Sequence, residues 1–193
     1  MPSDTAAHTA GTTRTTSLIP PGRWVVDAGH SSVQFAVKHM GIATVRGQFT
    51  GFEGTIEVGE DLASSTARGS VNVASISTGD ATRDAHLRSP DFFDAEAYPL
   101  ITFESTRIEA IDEEATMITG NLTMHGVTRE IRLQSVVQGV DIDPWGNERV
   151  GLEAVGTIMR SDFDMKFNQA LGSGNMLVGD RVAMSLDISA VKQ

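Results

Sequence analysis

The sequence predicts an all-β protein, an extended eight-stranded antiparallel barrel with one short helical connector. From Trp24 onward apolar residues alternate with polar ones over most of the chain, the period of strands that bury one face. Short turn signals separate these runs, as hairpin-connected antiparallel neighbours require. The runs number about eight, and an antiparallel sheet of that size tends to close, which removes its edges and leaves room inside for side chains or one ligand. A two-sheet sandwich is the competing architecture, because alternation alone reads the same in both.

Taken in order, residues 1–22 are rich in Thr, Ala and Ser and predict a disordered tail, with the barrel domain at 23–193. The tail has no apolar run suited to a signal peptide and no twin arginines, so a cytoplasmic location is expected. In SVQFAVKHM, Val33, Phe35 and Val37 share a face that His39 ends with the same parity. Val45 and Phe49 have one parity and Phe52, Ile56 and Val58 the other, so Gly51 suits a bulge in a long, bent strand. Val71 and Val73 continue the inward theme.

The alternation then stops. In TGDATRDAHLRSPDFFDAEAYPLITFES, Asp80 is placed to cap a short helix carrying Arg83, Asp84, His86 and Arg88. Phe92 and Phe93 follow, and aromatics in a connector either plug a core or line an opening into it. Ile101 and Phe103 lead the next strand, Asp112 to Glu114 form a hairpin tip, and His125-Gly126 makes a tight turn beyond Leu122 and Met124. Asp143-Pro144-Trp145-Gly146 has the residue order of a type I turn. The segment SDFDMKFNQALGSGN is a loop or short helix with Phe163 and Phe167 four apart, and Val182, Met184, Leu186 and Ile188 make the last strand.

Composition narrows function. With 15 basic and 25 acidic residues the chain carries a formal charge of -10, which argues against nucleic acid or an anionic membrane as the main partner. There is no cysteine, hence no disulfide, thiol nucleophile or thiolate metal site. No run approaches the roughly 18 apolar residues of a transmembrane helix. His30, His39, His86 and His125 show no zinc spacing, and no cofactor is indicated. Asp27, His30 and Ser31 have the composition of a catalytic triad without its arrangement, and a turn histidine bonded to Asp27 or to backbone is the plainer reading. His86 belongs to a surface helix network or to a polar rim. Leu171-Gly172-Ser173-Gly174 lacks the strand and helix of a phosphate loop. Eight Phe and eight Met supply aromatic and soft apolar lining.

The chain resembles the YceI-like family, lipocalin-like barrels that bind polyisoprenoids and related long amphiphiles. The resemblance runs from Trp24 to about Val191 and rests on WVVDAGHSSVQFAVKHMG, VRGQFTGFEGTI, the whole Thr78 to Ser105 stretch, GNLTMHGVTREI, MRSDF and LVGDRVAMSLDISA. It implies an elongated internal cavity and no established catalytic residues. The family often has Gly after the Phe of MRSDF, where this chain has Asp164.

Three readings stand at this point. In the first the barrel binds a long-chain isoprenoid or isoprenoid quinone for carriage, storage or sensing. Phe35, Val37, Phe49, Val71, Val73, Phe103, Leu122 and Met124 would face inward, His39 would offer a polar group near one end, and Phe92, Phe93, Phe163 and Phe167 would form the mouth. In the second it is an enzyme acting on a lipid-like substrate, with His39, His30 or His86 as acid/base. In the third the interior is filled by side chains and the protein is structural. Exposed strand edges would permit a homodimer.

Overall fold

The computed structural model describes residues 17–193. Eleven strand segments form one sheet: β1 (Gly22–Val26), β2 (Ser32–His39), β3 (Ala43–Phe49), β4 (Phe52–Val58), β5 (Thr66–Asn72), β6 (Ile76–Ser77), β7 (Leu100–Ala110), β8 (Ala115–Met124), β9 (Val127–Ile142), β10 (Glu148–Met159) and β11 (Val178–Lys192). β1 pairs with both β4 and β11, so the sheet closes.

The eleven segments make eight staves, because three long strands are each broken once. A 3-10 turn at Ala28–His30 divides β1 from β2, Thr50 and Gly51 divide β3 from β4, and a 3-10 turn at Val73–Ser75 divides β5 from β6. Below the breaks β11, β1, β4 and β5 are neighbours; above them β11, β2, β3 and β6 are. Main-chain bonds join two of the breaks, with Thr50 N donating to Ser75 O (3.2 Å) and Asn72 N to Gly51 O (2.8 Å). The break expected at Gly51 is therefore one of three. The chain forms a closed antiparallel barrel of eight strands, not a sandwich.

Turn chemistry fixes the hairpins. His125 and Gly126 both take positive φ, 53° and 72°, the geometry of a type I′ turn whose twist matches its strands. The Asp143 carboxylate accepts from the main-chain N–H groups of Trp145 and Asn147, and Gly146 N closes the turn on Asp143 O. At the β7–β8 tip, Asp112 accepts from Glu114 N and Ala115 N.

The connector between β6 and β7 holds α1 (Ala81–Arg88), the one α-helix among the described residues. Asp80 caps it by accepting from Arg83 N at 2.9 Å. Buried Asp84 accepts from Thr78 N and Oγ1, while Arg83 donates to Thr78 Oγ1 and O, so the helix start is tied to the end of β6. None of the described helices is long and apolar enough to cross a membrane.

Two apolar clusters fill the barrel. The larger lies toward α1, around Phe49, Ile101, Leu122, Leu133 and Ile158; the smaller, at the opposite end, joins Ile19, Trp24, Val58, Val150 and Ala190. The disordered tail expected for 1–22 falls mostly on residues 1–16, outside the described residues. At its end the packing already begins. Ile19 is buried, β1 starts at Gly22, and the fully buried Trp24 indole N–H donates to Pro20 O at 3.1 Å. A buried indole needs both a cover and an acceptor, and residues 19 and 20 supply them.

Candidate ligand cavity and its rim

Inside the larger cluster, whose Phe49, Ile101, Leu122, Leu133 and Ile158 line it, the barrel is hollow. The cavity measures about 280 Å³, close to the lower bound of about 300 Å³ for small-molecule pockets. Its wall is built from the inward parity of the strands: Val33, Phe35 and Val37 on β2, Val71 on β5, Phe103 on β7, Ile118, Leu122 and Met124 on β8. Outward residues such as Gln34, Glu53 and Arg68 contribute main chain, because the alternation turns their side chains to solvent.

Glycine shapes this wall in two ways. Gly47 and Gly120 are seats for aromatic rings: a β-carbon at either would overlap the ring of Phe35 or Phe103, respectively. Gly54 and Gly69 face each other across the β4–β5 ladder and leave bare backbone on the cavity side. The Val26 side chain packs against Gly54, where a β-carbon would collide with it.

Toward α1 the cavity is roofed by rings. Phe35 stands 5.6 Å from Phe49, which meets Phe93 edge-on at 5.8 Å. Leu87 of α1, Phe92 and Phe93 reach the cavity from the connector. Behind them Phe167 contacts Phe92 (5.1 Å) and His86 (4.9 Å), so two connectors meet ring to ring. His86 Nε2 bonds the Asp91 carboxylate at 2.8 Å, which fits the helix-network reading of this histidine.

Nine of the thirteen residues expected to line a site stand on the wall: Phe35, Val37, Phe49, Val71, Phe92, Phe93, Phe103, Leu122 and Met124. Four stand elsewhere. His39 ends β2 opposite Val178, and two steps along β2 correspond to four along β11 (Val178 to Val182); this bulge carries the strand end past the cavity. Val73 is buried in a 3-10 turn rather than extending β5, which breaks its parity with Val71. Phe163 is 1 % exposed yet packs behind the wall, in the 3-10 turn Arg160–Phe163. Phe167 braces the roof from outside.

The bulge in β11 has a second effect. Of its carbonyls, Gly179 O accepts from Arg160 Nε (3.0 Å) and Val178 O from Asn168 Nδ2 (2.8 Å) and, at 3.5 Å, from Arg160 Nη2, while Arg160 Nη1 donates to Met165 O (2.7 Å) in the preceding loop. Arg160 is 6 % exposed and lines the cavity, and burial lowers its pKa. Sequence patterns do not mark it, nor Leu87 and Met165 beside it, because their placement depends on contacts between separate connectors.

The remaining histidines have structural partners. His125 Nδ1 bonds Phe163 O at 3.1 Å. At the end away from α1, His30 Nδ1 bonds Asp27 at 2.7 Å, and Arg149 bridges Asp27 and Asp143, each at 2.8 Å. Ser31 Oγ donates to Asp27 O instead of facing His30, so the three residues form a turn and not a triad. Arg149, then His30, hold the Asp27 carboxyl at a pKa of about 2; Asn147 and Arg149 hold Asp143 lower still. Among the described residues no group of three or more His, Asp or Glu is placed to hold a metal ion.

A family model described as the YceI-like domain matches residues 24–190, nearly the whole barrel. The chain belongs to the YceI-like family. Its relatives include Protein YceI of Escherichia coli O157:H7, 39 % identical over 138 residues (71 % of this chain, 72 % of that one). A UPF0312 protein of Pseudomonas aeruginosa is 34 % identical over 165 residues, covering 85 % and 83 %. Among solved YceI-like structures, the Campylobacter jejuni YceI protein superimposes with a TM-score of 0.68 at 31 % identity, covering 81 % of this chain and 90 % of its own. A polyisoprenoid binding domain from Saccharophagus degradans shares the fold at a TM-score of 0.67 and 15 % identity, covering 88 % and 98 %.

Proposed function

We propose that this protein binds a long-chain isoprenoid or isoprenoid quinone inside the barrel, for carriage, storage or sensing. The observation that carries the reading is the apolar cavity roofed by Leu87, Phe92 and Phe93. The polyisoprenoid binding of the Saccharophagus degradans domain, on the same fold, supports the ligand class.

Hydrocarbon burial supplies the energy. At about 0.8 kcal/mol per CH₂, a five-carbon isoprene unit contributes at most about 3 to 4 kcal/mol, so several units outweigh the cost of association. Met124, Met165 and Met184 on the wall adapt to an irregular chain better than branched residues do. An enzyme using a histidine acid/base needs that histidine on the wall, and the lining contains none.

The test is native mass spectrometry and solvent extraction of the purified protein. A copurified isoprenoid-type amphiphile is expected. A protein that carries none, and takes up none when offered isoprenoid lipids, refutes the reading. Phe103→Asp should abolish retention or folding; a folded variant with wild-type affinity would show that Phe103 has no part in binding.

A further inference from the structure

Arg160 is where the cavity wall departs furthest from hydrocarbon. A buried guanidinium is costly unless its charge is balanced and its N–H groups are bonded. Among the described residues no carboxylate pairs with Arg160 within 4 Å; Asp180 acts on it from farther away and is itself hydrogen-bonded by Ser161 N (2.9 Å) and Oγ (2.7 Å). Main-chain carbonyls take three of the five guanidinium N–H groups. Two donors and a full positive charge are left at the upper end of an apolar chamber.

We propose that Arg160 is the head-group site of this cavity, donating to an oxygen of the ligand's polar end, a quinone carbonyl or a phosphate. The planar fork of Arg suits either acceptor, and the charge strengthens both bonds. This rests on the ligand reading above and adds polarity to it. The polar end sits on the side of Leu87 and Phe92, and the hydrocarbon runs down past Gly54 and Gly69 toward Ile56 and Ile188. Fixed at Gly179, Val178 and Met165, the guanidinium is already ordered before a ligand arrives, which limits the entropy lost on binding.

The experiment compares three probes of equal chain length by equilibrium dialysis: an isoprenoid quinone, the isoprenoid diphosphate and the isoprenoid hydrocarbon without oxygen. The wild type should bind at least one oxygenated probe about 10- to 100-fold more tightly than the hydrocarbon, as bonds to a charged donor provide. Which probe gains identifies carbonyl or phosphate as the acceptor. Arg160→Met should erase that preference while leaving hydrocarbon affinity within about threefold. Should Arg160→Met fail to fold, Arg160→Lys is read by the same ratio and should retain only part of it. Equal wild-type affinity for all three probes overturns the head-group site alone, as does a variant that weakens all three alike, the result of a purely structural staple. No binding of any probe by the wild type overturns the ligand reading itself.

Discussion

The two ends of the barrel are closed by different physics. The lower end is plugged by the fully buried Trp24 and clasped by Asp27, Arg149 and Asp143, with charge-assisted bonds of 2.8 Å. At the upper end α1 is anchored at its start by Thr78 and Asp84, but its far side meets the 160–177 segment through His86, Phe92 and Phe167 rings. Ring contacts yield to sliding and separation more readily than a network of directional, charged bonds does. A barrel that must admit a chain opens where its closure is apolar and non-directional. On the proposed function the lower end is the floor and the upper end the gate.

Breaking the floor should have the largest effect. Trp24→Ala should destabilise the protein by about 3 to 5 kcal/mol, read as a lower denaturation midpoint in urea; a change under about 1 kcal/mol would mean that Trp24 is not the plug. Loosening the gate should cost less and act on kinetics. Phe167→Ala, at a half-buried position, should cost about 1 to 2 kcal/mol and speed ligand release in stopped-flow exchange. Unchanged release would place the opening elsewhere.

The clasp can be tested by acid. The Asp27 carboxyl is depressed to about 2, so it binds a proton more readily in the unfolded chain than in the folded one. Its contribution is complete above the unfolded pKa and fades as pH falls from about 4 toward 2. Arg149→Met removes the first cause of the depression and should move the acid-unfolding midpoint, followed by circular dichroism, to higher pH. An unmoved midpoint would show that the clasp does not hold the floor.

The smallest expected effect is at Asp164, which ends the Arg160 turn with φ 62° and pairs with exposed Lys166. A left-handed residue is easiest as glycine, and an exposed ion pair is worth little. Asp164→Gly should therefore raise Tm by about 1 to 2 °C. A drop would show that the Lys166 pair outweighs the backbone cost.

Legibility in the sequence followed the range of the interactions. The strands, the Asp80 cap, the His125-Gly126 turn and the Asp143 turn depend on neighbours within a few residues, and each was readable from local pattern. Gly51 marked one break and the turn reading of Asp27 to Ser31 another, but the matching break at Val73–Ser75 carried no such sign, and there Val73 leaves the parity of Val71. His39 kept its parity and still missed the cavity, because the deciding bulge lies on β11, well over a hundred residues away. Arg160 enters the sequence reading only as a letter of MRSDF; its partners are carbonyls at 165, 178 and 179, and no local pattern encodes those.

The three strand breaks also give the wall an uneven stiffness. β7 to β11 are unbroken runs of ten to sixteen residues, whereas the opposite wall is creased in three neighbouring staves at nearly one level. The regular ladder is interrupted along that crease and replaced by irregular cross-bonds such as Thr50 N to Ser75 O and Val73 N to Pro99 O. On the proposed function one half of the barrel is the frame and the creased half the bellows for chains of different girth.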